Sequence, residues 1–595
     1  MRPAVNPLGA AELKRRYDAL KGSPERANWE AHCQEVGEVI SPRKIDFVGL
    51  RTAGDKRMNR VYDETGIHAN EMLAAGIHGM FTNDAALWFQ LRMISAQVVD
   101  NSGAFVDLNE VPEVRQFLSH VQDVIWARIY EPGTNFTTAL HEAYLDLGAF
   151  GTAVIYLGQR DSGGLLFECL SLAECVIAEN IDGRVDTLFR KTTYTVRQMV
   201  DMVDAGVWKS VSDKVMDLYR SNRLDDNVAV IHVVLPRSTR EPGKKGSKDM
   251  PFASIYFEHE GEHILSEGGY PEFPFLVPRW SKYAREIYGR GPGMTALPAV
   301  KMLQAMSVTS LKALQKAVDP PMWLKDDGVV GQVRTIPGGI NYWRGDPQAG
   351  VMLHPTKLDG LQMAAQEMEV LRNRIRTMFF TDILQFVTDQ KMTATEVMAR
   401  TQERMRLLGP LGGRLSSELL GPMIARIYGI VDRMGLLPEP PEIISEKEFT
   451  VEYLSPITTA QRQQSAMGIM QVYQLLAPLG PEVAAQILMK KVDPGKLIEW
   501  AWERFNCDPD LLLDEDDQQQ AGQMEKAMQA MQMAQPMAEV AAKGGQAVKS
   551  LADSQAGGGI DLQQLLGSFA NAAQSSPRAQ EEVQSMMNGQ QPPPQ

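Results

Sequence analysis

Only four cysteines occur in 595 residues (Cys33, Cys169, Cys175 and Cys507). They are too few and too scattered for a disulfide framework, which points to a reducing compartment. No apolar run approaches the roughly 20 residues of a membrane-spanning helix. The opening MRPAVNPLGAAELKRRYDALKG lacks a hydrophobic core of signal-peptide length. Both absences predict a soluble chain without a secretory signal. Catalytic signatures are missing too. There is no GxxxxGKS/T, which excludes a P-loop ATPase, and no GxSxG. Basic residues are outnumbered, 60 to 74, giving a net charge of −14. That argues against gripping nucleic acid by broad phosphate neutralisation.

The nine histidines are scattered. His259 and His263 lie four apart in EHEGEH (258–263), a run that could in principle hold a metal. It contains a glycine, departs from HExxH and sits between strand-like runs, so a solvated turn is the better reading. The glycines of YGRGPG (Gly289, Gly291, Gly293) resemble a phosphate loop only superficially. Pro292 removes one donor N–H and no βαβ unit precedes them. A turn that starts a helix fits better. No metal and no other cofactor is expected.

What is present is organisation. The length suggests three to five domains or one extended subunit. With 44% hydrophobic and 23% charged residues the composition is that of an ordinary globular protein. From about residue 10 to 158 apolar residues recur at helical spacing, as in AAELKRRYDALKG and FTTALHEAYLDLGAFG. From about 152 to 278 the runs TAVIYLG, GLLFECL, DTLFRKTTYTV, VAVIHVVLP and ASIYFE favour strands. VRQMVDMVDAG interrupts them as a helix, and 241–251 reads as a basic hairpin tip.

The best organised stretch is 288–408. A first helix, 295–318, puts Leu297, Val300, Leu303, Leu311, Leu314 and Val318 on one side. Lys301, Lys312 and Lys316 fall on another face. A charged stripe of this kind is most often a solvated helix face; the alternative is a ring of charge facing a polyanion. Asp319-Pro320-Pro321 stops the helix. An insert rich in turn signals, with short strands, follows. A second helix, 358–380, carries Leu361, Met368, Leu371, Ile375 and Met378 on one face. Glu367, Glu369, Arg372, Arg374 and Arg376 form its polar side. After a loop, Thr393 and Glu396 make a capping-box pattern. The third helix meets Gly409-Pro410, Gly412-Gly413 and Gly421-Pro422, which should kink or break it. From 514 the chain is rich in Gln, Met and Ala, and the last segment is poor in core-forming residues.

YGRGPGMTALPAVKMLQ, the stop KALQKAVDPPMWL and KMTATEVMARTQE, in this order, resemble the portal, or head-to-tail connector, of short-tailed bacteriophages. The resemblance covers nearly the whole chain. It implies an α+β, mainly helical portal fold with wing, stem, clip, crown and C-terminal helical barrel, assembled as a dodecameric ring. The wing would be 1–288, helical then β-rich. The stem helices would be 289–319 and 357–380, with the clip at 320–356 between them. A tunnel loop at 381–392, a kinked wing helix at 393–437, a crown at 438–513, a barrel helix at 514–550 and a flexible tail at 551–595 would complete it.

The resemblance further implies a passive virion component at one capsid vertex, assembled in the host cytoplasm. Double-stranded DNA would be packaged and ejected through its channel. Its partners would be the terminase, a tail adaptor, the major capsid and scaffolding proteins and internal core proteins, with no membrane. Channel candidates are Lys301, Lys312, Lys316, Arg372, Arg374, Arg376, Asp389, Gln390 and Lys391, some of them intersubunit partners of Glu367 and Glu369. Clip docking candidates are Trp323, Arg334, Tyr342, Trp343 and Arg344. Thr393 and Glu396 would cap the tunnel helix. The competing readings are another virion structural protein, such as a tail adaptor or internal head protein, and a packaging enzyme.

Overall fold

The structure is a computed structural model. It describes residues 9–49, 54–84, 87–93, 97–99, 105–107, 109, 111–160, 163–237, 240, 246, 249–318, 322–324, 329–330, 342–343, 351–353, 359–384, 409–441 and 498. The chain divides into two units, Met1–Pro509 and Asp510–Gln595, and every described residue lies in the first.

Five helices open the chain: α1 (Ala10–Lys21), α2 (Pro24–Val39), α3 (Thr65–Phe81), α4 (Pro112–Ile129) and α5 (Phe136–Phe150). A short antiparallel pair, β1 (Gln97–Val99) and β2 (Phe105–Asp107), precedes α4. The start signals are local. Ser23 accepts from the Arg26 N–H and Pro24 occupies the first turn of α2, where its missing donor costs nothing.

Two antiparallel sheets follow. β3 (Ile155–Gln159) and β4 (Leu165–Cys169) pair, with β10 (Phe275–Leu276) on the free side of β3. The larger sheet is a five-stranded meander: β5 (Cys175–Glu179), β6 (Val185–Thr195), β7 (Asn227–Pro236), β8 (Phe252–Glu258) and β9 (Ile264–Tyr270). β7 shows why these residues make a strand. Ile231, Val233 and Leu235 point to one face, where α1 covers them with Leu13 and Tyr17. Val230 points to the other face, where α6 (Val196–Asp204) packs through Met199, α7 (Asp213–Arg220) through Val215, and the connection between them through Trp208. α6 starts on a capping box in which Thr195 and Gln198 satisfy each other's backbone N–H. The basic 241–251 segment connects β7 to β8, which are antiparallel neighbours.

The main core joins α2 to α5, β3, β4 and β10 to α8 (Pro292–Val318), to the end of α9 (Asp359–Met378) and to residues 411–431. Four short strands lie between α8 and α9. β11 (Met322–Leu324) pairs with β14 (Val351–Leu353), and β12 (Val329–Val330) with β13 (Tyr342–Trp343), both antiparallel. α10 (Thr381–Leu384) follows α9.

Three expectations need correction. The helix does not break at Gly412-Gly413 or Gly421-Pro422: residues 409–415 are helical, Ser416–Leu420 is a π turn, and α11 (Gly421–Arg433) continues, while the chain before Gly409 lies outside the described residues. Pro422 cannot donate to the preceding turn, and the Gly421 N–H reaches five residues back to Ser416 O, so one extra residue absorbs the defect. The first four residues of the expected tunnel loop form α10 instead. Strands β1, β2, β5, β9 and β10 and helix α7 escaped the periodicity reading. β9 (ILSEGGY) carries two glycines and β10 only two residues, too little pattern to detect. The expected crown, barrel and tail lie outside the described residues, apart from residues 438–441 and 498 of the crown.

His232 sits inside β7, stacked on Tyr256 at 4.0 Å and paired with Ser254 Oγ at 2.9 Å. Burial, with help from the Arg190 charge, pushes its imidazole down to about 3. It is neutral in the fold, whereas an unfolded histidine titrates near 6.5. A depressed histidine contributes stability that is present above about pH 6.5 and lost as pH falls toward 3. Urea unfolding at pH 5 should show about 2 kcal/mol less stability from this group than at pH 7.5. His232→Gln should remove that part of the slope; an unchanged pH dependence would show that the imidazole is not held neutral.

Candidate channel and docking elements

The start of α8, the root of the expected stem, is built by close backbone contact. Gly151 ends α5 with φ 72° and its carbonyl accepts the Trp280 N–H at 2.9 Å. Against this end runs YGRGPG. A Cβ on Gly291 would lie 2.7 Å from Leu147 O, and one on Gly293 would lie 2.6 Å from Ala149 O. Nothing larger than hydrogen fits. The glycines therefore serve helix packing, as a turn that starts α8. On one side of the root, Tyr288 stacks on Trp29 at 4.5 Å. The buried Arg26 guanidinium lies 4.8 Å and 4.9 Å from the two ring centres. Arg26 also donates to Glu30 at 2.6 Å and to Leu172 O at 2.7 Å.

On the other side Arg279 is only 2% exposed. Its guanidinium donates to Glu418 at 2.7 Å, to Gly183 O at 2.9 Å, to Ile287 O at 3.2 Å and to Glu179. Its own N–H donates to Glu418 at 2.9 Å. One side chain thus ties the end of β5, the strap before α8 and the π turn. Burial alone would pull this guanidinium down; Glu418 and Glu179 outweigh it and hold it above its ordinary value.

The expected apolar stripe of α8 exists, but its two halves differ. Leu297, Val300 and Leu303 are buried in the main core. Leu311 and Leu314 are half exposed and Val318 is 87% exposed. α9 runs antiparallel beside α8. Ser307 meets Met368 at 3.8 Å, while Gln304 and Arg372 both grip Asp63, so the numbering runs in opposite directions. Gln304 accepts the Tyr62 and Asp63 N–H groups at 2.7 and 3.0 Å and donates to Asp63 O at 2.6 Å. The loop before α3 therefore clasps both stem helices.

The candidate cations divide by partner. Lys301 pairs with Glu35 of α2 at 2.5 Å and holds that carboxyl below the usual range. Arg372 pairs with Asp63 at 3.0 Å and Glu369 at 3.1 Å, and Arg376 with Glu369 at 3.2 Å. Among the described residues Lys312, Lys316, Arg374 and Glu367 are exposed and enter no ion pair. At the end of α9, Phe380 adopts φ 58° and Thr381 Oγ1 donates to Arg376 O at 3.0 Å. Leu384 of α10 then packs on Gly76 of α3. Asp389, Gln390, Lys391, Thr393 and Glu396 lie outside the described residues, as do Arg334 and Arg344. Trp323 stands opposite Met352 in register, Tyr342 opposite Val330 and Trp343 opposite Val329.

EHEGEH makes the β8–β9 turn. Glu258 is buried and accepts from Ser212, His263 meets Ser210 Oγ at 2.9 Å, and His259 faces Asp18 at 3.5 Å. Each side chain is engaged separately. Among the described residues no group of His, Cys, Asp or Glu could hold a metal, and no helix is long and apolar enough to cross a membrane.

The model of the bacteriophage head to tail connecting protein family matches residues 10–513. The chain belongs to this family. It is 31% identical over 538 residues to the "Probable portal protein" of Bordetella phage BPP-1, covering 87% of this chain and 92% of that one. It is 28% identical over 550 residues to the "Portal protein" of Salmonella phage epsilon15, covering 89% and 93%. Among solved structures it is similar to a chain described as "Neck of empty GTA particle computed with C6 symmetry", at 12% identity and a TM-score of 0.33, covering 74% and 90%.

Several residues that brace this connector-family chain escaped the sequence reading: Glu35, Asp63, Gln304, Arg279 and Glu418. Each is an ordinary polar residue in its own segment, and its partner lies far off in sequence. Gln304 alone carried a hint, being polar within an apolar helix. Replacing Arg279 with Met should leave Glu418 with only the looser Arg414 contact at 3.7 Å, while Lys282 keeps Glu179 paired at 2.6 Å, and cost about 3 kcal/mol in denaturant unfolding. A loss below about 1 kcal/mol would show that Arg279 does not brace the stem root.

Proposed function

We propose that the chain is the portal ring of a bacteriophage head: twelve copies around a channel at one capsid vertex, through which double-stranded DNA is packaged and ejected. Family membership supports the connector role, and the relatives named portal proteins support the more specific one. The observation in the fold that carries the ring is the stem. In the single chain Val318 of α8 is 87% exposed, and Met363 and Val370 of α9 are 76% and 59% exposed. Such surface calls for a neighbour. A ring closed by rotation supplies one, because each copy buries two different faces.

In this reading α8 and α9 are the stem, 320–356 is the clip and 1–288 with 393–437 is the wing. Residues 438–513 form the crown, 514–550 the barrel helix and 551–595 the tail. The clip offers Trp323, Arg334, Tyr342, Trp343 and Arg344 to the terminase and later to a tail adaptor. The shell and scaffolding proteins, and internal core proteins, surround the wing, crown and barrel. The bore is approached by Asp389, Gln390 and Lys391 after α10, with Arg374 a further candidate. Arg372, Arg376 and Lys301 are committed to Asp63, Glu369 and Glu35 and leave little free charge for DNA. A mostly acidic wall lets a polyanion pass without holding it. The ring hydrolyses nothing itself.

Negative-stain images of the purified full-length protein should show twelve-fold rings with a central hole. A hexamer, a sheet or a persistent monomer would overturn this reading in favour of another virion component, and ATP hydrolysis by the pure protein would favour a packaging enzyme.

A further inference from the structure

Two stem faces lack a partner, and their chemistry is complementary. α8 holds Lys301, Lys312 and Lys316 and no acidic residue anywhere in Pro292–Val318. Met302, Ala305, Thr309, Lys312 and Lys316 fall within an arc of about 80° at 100° per residue. All five are exposed. The arc faces away from the Leu297, Val300 and Leu303 stripe that the wing covers. On α9, Met363, Glu367, Val370 and Arg374 share an arc of about 60° and are also exposed. That arc lies about 90° round the helix from Leu371 and Ile375, which are buried.

The chain's own acids near these faces are taken. Glu35 serves Lys301, Asp63 serves Arg372, and Glu369 serves Arg372 and Arg376. Lys312 and Lys316 stand one turn apart, about 6 Å along the axis, and Glu367 is the unpaired acid of the other face.

We propose that the lysine face of α8 in one copy receives the outer face of α9 in the next copy, with Glu367 seated between Lys312 and Lys316. Ala305 and Thr309 are small and let the neighbouring helix approach, so the contact covers Met363 and Val370. The two faces differ, so the contact is heterologous and repeats around an axis. DNA is the other polyanion these lysines could meet, but a phosphate backbone would leave Met363 and Val370 uncovered. The inference rests on the ring reading and assigns Lys312 and Lys316 to the wall between copies rather than to the bore.

Charge exchange in the full-length protein tests it. The pair Lys312→Glu/Lys316→Glu, and separately Glu367→Lys, each place like charges across every contact. Each should raise the concentration for half-assembly by about threefold or more, read by mass photometry at low salt. The triple variant that combines them restores opposite charges and should assemble close to the unmodified chain. Two results overturn the contact while leaving the ring intact. One is a lysine-pair variant or a Glu367→Lys variant that assembles normally without any change in DNA retention, or a triple variant no better than either. The other is a Lys312→Glu/Lys316→Glu variant that assembles normally but loses retention of a 30-bp DNA duplex (~30 bp is ample for several phosphate contacts), which would give the lysines to nucleic acid. If the unmodified chain never assembles, the ring reading fails and this contact fails with it.

Discussion

The carbonyls at the end of α5 press against Gly289–Gly293 so closely that a methyl group on any of three glycines would collide with backbone. This contact sets where α8 leaves the wing. Bracing on both flanks depends on it. Arg26 between Trp29 and Tyr288 holds one side, and Arg279 with Glu179 and Glu418 holds the other. Close packing makes the root stiff, because backbone atoms cannot yield as a flexible side chain can.

From there α8 serves two masters in sequence. Its first turns are buried by α2, α3, α5 and α9. Its last turns carry the same apolar stripe into solvent, with lysines on another face. Asp63, held by Gln304 and Arg372, locks α8 and α9 to the loop before α3 where the change occurs. The helix pair is therefore packed into the core only at the end where α8 begins and α9 finishes, and its far end is left exposed in the single chain.

Much of this was legible from residue patterns. The helices α1 to α5, α8 and α9 follow their apolar period, and β6 to β8 follow their β-branched runs. The glycines of YGRGPG were legible as a helix start, but their reason was not: the carbonyls they avoid belong to residues about 140 positions earlier. The charges of the stem were legible as charges only. Lys301 finds Glu35 and Arg372 finds Asp63 across more than 260 residues of chain, and helical spacing carries no trace of such partners. The π turn was hidden for a related reason. Gly421-Pro422 signals a defect, yet the residue pair alone does not say whether a helix breaks there or absorbs one residue. α7 and β9 were lost because short or glycine-bearing segments carry too few positions to show a period.

The claim that α8 is shared between wing and neighbour is open to amide hydrogen exchange, comparing dissociated chains with assembled ones. Slow exchange over Met294–Ser307 in both states is predicted, with Leu311–Val318 fast in the single chain and slowed only on assembly. Equal protection along the whole helix in the single chain, or a second half that stays fast after assembly, would contradict the account.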